Sequence, residues 1–376
     1  MSESRPNCQR WMWIELLGFD NTEPDYHVGA FLDNAGFVPD VVTFHLCCPD
    51  FVNAHEGMDR EIVLPPDVCA YGARSYNAER RRQEWTNWQF RGLVQELQRR
   101  GIQVYCSVMD IFVSNVDGQP RRSPWSDSHP ELWAVRHTGE AAGTIGPLKR
   151  LADGTYYEDY FVAKLREVLT DYGCDGFHGA DGIAGPRRPV SHADYSDDMV
   201  GQFAAMMHAD VDLHCDGDAE RAEARARYIW AHLRREWCEF HAIRWEQLWT
   251  KICGAVHELG KRTAFNNVWT QEPFGAYLRF GVDYRRIVRA GVDALILETV
   301  GAGNSIGVEG VPVELRADMN IMLLFMKACL PDVPLTYLNC TGDTTENWDV
   351  LNHLPPACER EHYLLGSMFV QGEGGC

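Results

Sequence analysis

Short apolar runs alternate with longer amphipathic stretches along most of the chain. The short runs predict eight strands, at residues 11–17, 41–47, 103–109, 176–180, 263–268, 294–297, 335–339 and 368–371. Each run is mostly apolar on both faces and ends in polar residues or glycine, which is typical of parallel strands covered on both sides. Helical patterns fill the gaps, and three of them stop at Gly101, Gly173 and Gly260, since glycine favours a helix end.

The repeated order of strand then helix predicts an α/β protein, and eight repeats predict a (β/α)8 TIM barrel. A doubly wound parallel sheet is the alternative, but the segment "ELLGFDNTEP" after the first strand lacks the GxGxxG turn of that fold. We therefore expect residues 1–376 to form a single barrel domain. Long insertions at 48–80, 112–155 and 183–220 fall on the loops that follow strands two, three and four. In a barrel these loops build the catalytic face.

The last predicted strand ends near Gln371, and Cys376 is the final residue, so no residues remain in this chain for an eighth helix. Without that helix one flank of the barrel would be apolar and open. Either the strand count is off by one, or the chain is a piece of a longer protein. In the second case another polypeptide or a partner subunit would complete the barrel, and an oligomer is possible.

Composition excludes several classes of protein. The formal net charge of −19 argues against nucleic acid and against an anionic membrane surface as partners. No stretch approaches 18 continuous apolar residues, and the start of the chain lacks a secretory signal pattern. The 13 cysteines contain no CxxC spacing and most lie in apolar runs. They predict buried free thiols in a reducing, cytoplasmic setting, without a structural zinc.

Polar residues at strand ends predict the site, because barrel enzymes build their sites there. The first strand offers Glu15 and Asp20. The later strand ends offer, in order, His45, Asp110, His178, Asp181, Asn266, Asn267, Trp269, Glu298, Asn339 and Glu373.

Two of these residues form the predicted catalytic pair. Glu298 directly follows the apolar run "ALIL", where an unpaired buried carboxylate would cost several kcal/mol. Asp181 stands among Gly179, Ala180 and Gly182, which suit either a turn or a ligand close to the backbone. Two carboxylates across a barrel mouth are what glycoside hydrolysis requires: about 5–5.5 Å apart for retention of configuration, or about 6.5–9.5 Å for inversion.

The other strand-end residues are predicted to bind substrate, and no metal or cofactor is predicted. They are His45, Asp110, His178, Asn266, Asn267, Trp269, Asn339 and Glu373. Further aromatic residues could stack on sugar rings, although most aromatic residues of a barrel belong to its core. They are Trp11, Trp13, Tyr105, Trp125, Trp133 and Tyr337.

These motifs resemble the (β/α)8 glycoside hydrolases. "YGCDGFHGAD" looks like a fourth-strand motif that leads to a catalytic Asp, and "TAFNNV" with "VDALILETV" is similar to strands five and six of the dextranase and cyclodextran glucanotransferase group. The resemblance implies a retaining enzyme with Asp181 as nucleophile and Glu298 as general acid/base. If the strand count is one short, Glu298 falls on strand seven and resembles the nucleophile of the large β-glycosidase clan, and the two roles are swapped.

Two other functions stay open. A metal-dependent barrel enzyme, such as a sugar isomerase, could use His45, Asp110, His178, Asp181 and Glu298 as ligands, although "WMWIELL" lacks the usual His-x-His of metal hydrolases. A non-catalytic carbohydrate-binding barrel is the other alternative. The long loops favour an exo-acting enzyme.

Overall fold

The computed structural model describes residues 9–46, 48–65, 83–116, 119–211, 217–267, 269–270, 272–298, 304–306, 312–315, 318–338 and 341–343. The strands are β1 (Trp11–Ile14), β2 (Val41–His45), β3 (Gln103–Val108), β4 (Val113–Val116), β5 (Gln119–Arg122), β6 (Trp133–Val135), β7 (Ala141–Ile145), β8 (Gly176–Gly179), β9 (Arg262–Asn266), β10 (Ala294–Glu298), β11 (Asn304–Ile306), β12 (Pro312–Leu315), β13 (Leu335–Leu338) and β14 (Thr341–Asp343). The helices are α1 (Val28–Ala35), α2 (Asp50–Asn53), α3 (Asn87–Arg99), α4 (Pro124–Asp127), α5 (Tyr157–Tyr172), α6 (Asp197–Met207), α7 (Asp218–His232), α8 (Arg234–Glu258), α9 (Pro273–Phe280), α10 (Tyr284–Ala290) and α11 (Asp318–Cys329).

The main sheet has the order β1-β2-β3-β8-β9-β10-β13, and every neighbouring pair in it is parallel. At least one helix follows each strand before the next strand of this sheet begins. This order confirms the predicted α/β barrel-type fold and the first seven predicted strands. The predicted eighth strand at 368–371 lies outside the described residues. No helix in the described part of the chain has the length and apolar character needed to cross a membrane.

Local signals explain where the helices begin and end. Thr86 and Gln89 form a capping box at the start of α3, which satisfies backbone N–H groups that the first turn leaves open. The helix α5 ends at Gly173, which has a positive φ of 73° and so suits a left-handed cap. The long helical pattern after residue 217 divides into α7 and α8 at Leu233.

The long loop between β3 and α5 contains two hairpins. In the first, β4 pairs with β5, and in the second, β6 pairs with β7, both antiparallel. The second hairpin lies within the predicted insertion at 112–155. A smaller three-stranded sheet has the order β12-β11-β14. Its strands β11 and β12 follow β10 in the chain, and β14 follows β13.

The two faces of the main sheet differ in polarity. Residues that point outward towards the helices, such as Phe44, Val108 and Leu297, belong to the hydrophobic core. The alternating positions point into the barrel and mix polar with apolar residues, all of them buried. Thr43, Ser107, His178, Asn266 and Glu298 lie there beside Val41, Ala264 and Ile296. The outer face is apolar as expected, whereas the inner face is apolar only in part.

The cysteines in the described part of the chain are free thiols, namely Cys48, Cys106, Cys174, Cys238, Cys253 and Cys329. All but Cys329 are buried, as expected for small apolar side chains in a core.

Two glycines near Asp181 make room for protein side chains. A Cβ on Gly182, which has a φ of +78°, would overlap the Asp110 carboxylate, and a Cβ on Gly179 would overlap the Trp249 ring. The interpretation that these glycines leave space for a ligand was therefore wrong. They permit the close approach of Asp110 and of α8 to the end of β8.

We expect Gly182→Ala to lower the free energy of unfolding by about 2–4 kcal/mol, because it combines a strained φ with overlap of a buried carboxylate. Chemical denaturation measures the change. Gly254→Ala is the matched control: Gly254 lies inside α8 with no atom near its Cβ position, so the change should stabilise the protein by up to about 1 kcal/mol. Equal effects of the two substitutions would contradict the close approach of Asp110 to Gly182.

Candidate active site at the carboxyl ends of the strands

Arg187 joins two of the predicted site carboxylates. Asp110 follows β3 by two residues and Asp181 follows β8 by two residues, and these strands are neighbours in the sheet. The Asp110 backbone N–H donates to the Asp181 carbonyl oxygen at 3.1 Å. The Arg187 guanidinium donates through Nε to Asp110 and through Nη1 to Asp181 Oδ2, the latter at 2.6 Å. One cation therefore bridges the two strand ends.

The cluster of Asp110, Asp181 and Arg187 is almost closed to solvent, with side-chain exposures of 6%, 8% and 11%. Burial raises the pKa of Asp110 above its usual value, and Arg187 opposes that rise. Charges removed from water are tolerated only when they are paired and hydrogen-bonded. Arg187 supplies that pairing, because its guanidinium donates a hydrogen bond to each of the two carboxylates.

Trp269 completes the contacts of Asp181. Its indole Nε1 donates to Oδ2 at 2.7 Å, so this oxygen accepts hydrogen bonds from both Trp269 and Arg187. No described residue donates to the other oxygen, Oδ1. Asp181 is thus held through Oδ2.

Glu298 is positioned by the neighbouring strand. It is the last residue of β10, and its side chain accepts a hydrogen bond from Asn266 Nδ2 at 2.7 Å. Its backbone N–H donates to Asn267 Oδ1 at 2.8 Å. The two asparagines that the sequence assigns to substrate binding are 2% and 0% exposed, and both hold Glu298.

The predicted histidines lie deeper in the barrel, on either side of Trp13. The Trp13 ring centroid is 4.6 Å from His45 and 4.8 Å from His178. His178 Nδ1 lies 3.1 Å from Thr43 Oγ1, and His45 Nε2 lies 3.4 Å from Met109 Sδ. Desolvation lowers the pKa of His178 to about 3, so its imidazole is neutral at ordinary pH.

The structure brings together Asp110, Asp181 and Trp269, then Asn266, Asn267 and Glu298, and thirdly His45 and His178. Asn339 and Glu373 lie outside the described residues. Sequence reasoning missed Arg187, although it stands six residues after Asp181 in the same loop. A cation so near a candidate carboxylate was the available signal.

The residues proposed as metal ligands have other neighbours. Asp110 and Asp181 contact Arg187, and Glu298 contacts Asn266. The two histidines contact Met109 and Thr43, and His45 Nδ1 also lies 3.7 Å from Glu15 Oε1. Within the described segments, no three His, Cys, Asp or Glu side chains converge as a ligand set.

Comparison with known proteins identifies no family. No protein-family model matches the chain, and no curated protein matches it. Among solved structures, a D-allulose 3-epimerase from Methylomonas sp. is 9% identical, with 95% of this chain and 98% of that chain covered and a TM-score of 0.39. An old yellow enzyme homologue from Zymomonas mobilis is also 9% identical, with coverage of 89% and 79% and a TM-score of 0.38. At these values neither match transfers an activity, and the glycoside hydrolase resemblance gains no support from them.

We expect Arg187→Met to destabilise the protein by about 3–5 kcal/mol at pH 7, because it leaves buried carboxylates without their cation. Without Arg187 the pKa of Asp110, already raised by burial, rises further. An acid with a raised folded-state pKa loses stability as pH rises from its unfolded value of about 4 through the folded value. The deficit should therefore shrink as the pH falls from 7 towards 4.

Denaturation curves across this pH range test the prediction. Arg227→Met is the matched control, because Arg227 forms an exposed pair with Glu223 at 3.1 Å on the surface of α7. Such pairs contribute about 0.5 kcal/mol or less. A pH-independent deficit for Arg187→Met would contradict the role of Arg187 as counter-charge.

Proposed function

We propose that the protein is a glycoside hydrolase of the retaining type, with Asp181 as nucleophile and Glu298 as general acid/base. The observation that carries the proposal is a pair of buried carboxylates at the strand ends on either side of β9, in unlike surroundings. Asp181 is ion-paired to Arg187, whereas Glu298 accepts a hydrogen bond from a neutral amide. Unlike surroundings allow two carboxyl groups to take different roles at one pH.

The contacts of Asp181 suit a nucleophile. Arg187 and Trp269 fix Oδ2, and Oδ1 would form the bond to the anomeric carbon. Glu298 would donate its proton to the departing glycosidic oxygen, whose bond to that carbon breaks. Glu298 would then remove a proton from water, which attacks the same carbon and releases Asp181 with net retention of configuration.

Asp110 acts on this chemistry through Arg187. It accepts a hydrogen bond from the same guanidinium as Asp181. Asp110 thereby orients the Arg187 side chain that donates to Asp181 Oδ2. We assign Asp110 and Arg187 as positioning residues. Replacement of either should disturb turnover less than replacement of Asp181 itself.

A sugar isomerase or epimerase is the second candidate. The same two carboxylates, on opposite sides of a bound sugar, suit removal of a proton next to a carbonyl and its return to another position or face. Such a reaction would incorporate deuterium from D2O into the product sugar, whereas glycoside hydrolysis would leave the sugar carbon–hydrogen bonds intact.

We expect Asp181→Asn and Glu298→Gln each to reduce turnover of aryl glycosides by a factor of about 10²–10⁴ or more, because each removes one acid/base or nucleophilic group. A panel of α- and β-linked aryl glycosides measures this, and NMR of the first-formed anomer reports retention. Glu258→Gln is the control, since Glu258 is an exposed partner of Arg166 on the surface.

Unfolding curves for the two carboxylate variants separate lost chemistry from lost folding. Absence of turnover across the whole panel, together with deuterium incorporation into free ketoses, would replace the hydrolase proposal by the isomerase. Full activity in either carboxylate variant would refute the assigned pair.

A further inference from the structure

A pocket lies beside the carboxylate cluster, between the second hairpin of the long loop, the loop after β8, and the helices α6 and α8. It is half-open, with about 520 Å³ of space outside protein atoms when open solvent is included, and its lining includes Asp110, Arg187, Arg188, His241 and Trp245. The remaining walls are largely apolar, with Ile145, Leu148 and Met199 among them. The pocket therefore combines apolar walls with a few polar groups, as ligand sites do.

The helix α8 supplies the polar groups through a row of residues spaced four apart, Trp237, His241, Trp245 and Trp249. Residues four apart on a helix share one face. Trp237 Nε1 donates to the Val190 carbonyl at 2.8 Å, and Trp249 Nε1 donates to the Ala184 carbonyl at 3.3 Å. The two ends of the row thus anchor the loop that carries Arg187 and Arg188.

The two middle residues of the row have no such partners. Trp245 Nε1 and both ring nitrogens of His241 are buried without a hydrogen-bond partner among the described residues. His241 is 4% exposed and Trp245 is 2% exposed, and both line the pocket. Desolvation, with a smaller effect of Arg244, lowers the pKa of His241 to about 3. The imidazole is therefore neutral and offers one N–H donor and one acceptor nitrogen.

Arg188 adds a cation to the same pocket. It is partly buried, and no described residue forms a hydrogen bond or ion pair with it. Burial is the main cause that lowers its pKa, and the nearby Arg136 adds to that effect. Its neighbour Arg187 is already committed to Asp110 and Asp181, so Arg188 is the charge that a ligand would meet.

Among the pocket side chains without a hydrogen-bond partner, donors outnumber acceptors. Asp194 also lines the pocket, and its Oδ1 accepts from the backbone of Val135 and Ser196. Its Oδ2 is buried without a hydrogen-bond partner among the described residues and lies 4.0 Å from the Lys149 ammonium. An indole N–H, an imidazole N–H and a guanidinium together require acceptors, and a charged oxygen group supplies the strongest ones.

We propose that this pocket binds the anionic group of an acidic sugar, either a carboxylate as in a uronic acid or a phosphate ester, through Arg188, Trp245 and His241. The assignment of that sugar as the substrate rests on the proposed hydrolase function, since Asp110 and Arg187 form a wall shared with the catalytic cluster. The binding site itself depends only on the pocket.

Equilibrium binding to the intact protein tests the proposal, by titration calorimetry with D-glucuronate, D-glucose 6-phosphate and D-glucose. We expect one of the two acidic sugars to bind at least about tenfold more tightly than glucose. The acidic sugar with the higher affinity shows whether the pocket prefers a carboxylate or a phosphate. Equal affinity for glucose and for both acidic sugars would overturn the proposal.

Variants separate a binding donor from a structural one. Arg188→Met should weaken the acidic sugar about tenfold or more, which corresponds to about 1.4 kcal/mol, and leave glucose unaffected. Trp245→Phe removes only the Nε1 donor; it should weaken the acidic sugar several-fold without lowering the melting temperature. Trp237→Phe, which removes the donor to Val190, should instead lower the melting temperature. Arg279→Gln, at an exposed position on α9, should change neither quantity.

The two proposals fail in different ways. Acidic sugars that bind through Arg188 while no aryl glycoside or uronide is hydrolysed would refute the hydrolase and leave the pocket assigned. Hydrolysis of neutral glycosides at rates unchanged by Arg188→Met, with no preference for acidic sugars in binding, would refute the pocket and leave the hydrolase.

Discussion

The buried ion pair between Arg187 and the two aspartates, Asp110 and Asp181, is the constraint on which the site depends. Two carboxylates at neighbouring strand ends repel each other and lose hydration when they are enclosed. Arg187 offsets both costs with a planar guanidinium that reaches each carboxylate through a separate nitrogen. The geometry also explains Gly182, because any larger residue there would overlap the Asp110 carboxylate. The ends of β3 and β8 are therefore fixed by charge as well as by the sheet.

Arg187 can hold this position because α8 supports its loop. Trp237 and Trp249 donate to the carbonyl groups of Val190 and Ala184, one on each side of the arginine. The helix is also anchored by Arg244, which is buried and pairs with Glu158 of α5 at 2.8 Å. A helix fixed at several points provides a rigid support for a site residue carried on a loop. The packing of α8 thus positions the loop that carries Arg187, and through Arg187 it orients the Asp181 carboxylate.

The sequence predicted the features that depend on local pattern. Seven strands and the positions of Asp110, Asp181 and Glu298 follow from short apolar runs and from the rule that barrel sites lie at strand ends. The polar positions of the inner face were missed, although Thr43, His45 and Ser107 alternate with apolar residues in the sequence. Arg187 and the pocket were missed for another reason: both arise from contacts between segments far apart in the chain. His241 and Trp245 lie within an apolar helical pattern that predicts ordinary core residues. Only the fold shows that Trp237 and Trp249, on either side of them, donate hydrogen bonds to the loop, whereas these two have no hydrogen-bond partner among the described residues.

The net charge of −19 bears on the choice of an acidic ligand. A negative protein repels an anion at long range, but at physiological ionic strength such repulsion is screened over about 8 Å. Within the pocket the local donors dominate, because buried hydrogen bonds to a charged group are stronger than those to a neutral one. Arg188 should therefore contribute a larger share of the affinity for an anionic ligand in this protein than it would in a basic protein, where many cations could attract the same ligand. Selectivity for an acidic sugar would come from contact within the pocket, and its affinity would depend less on salt than that of a surface site.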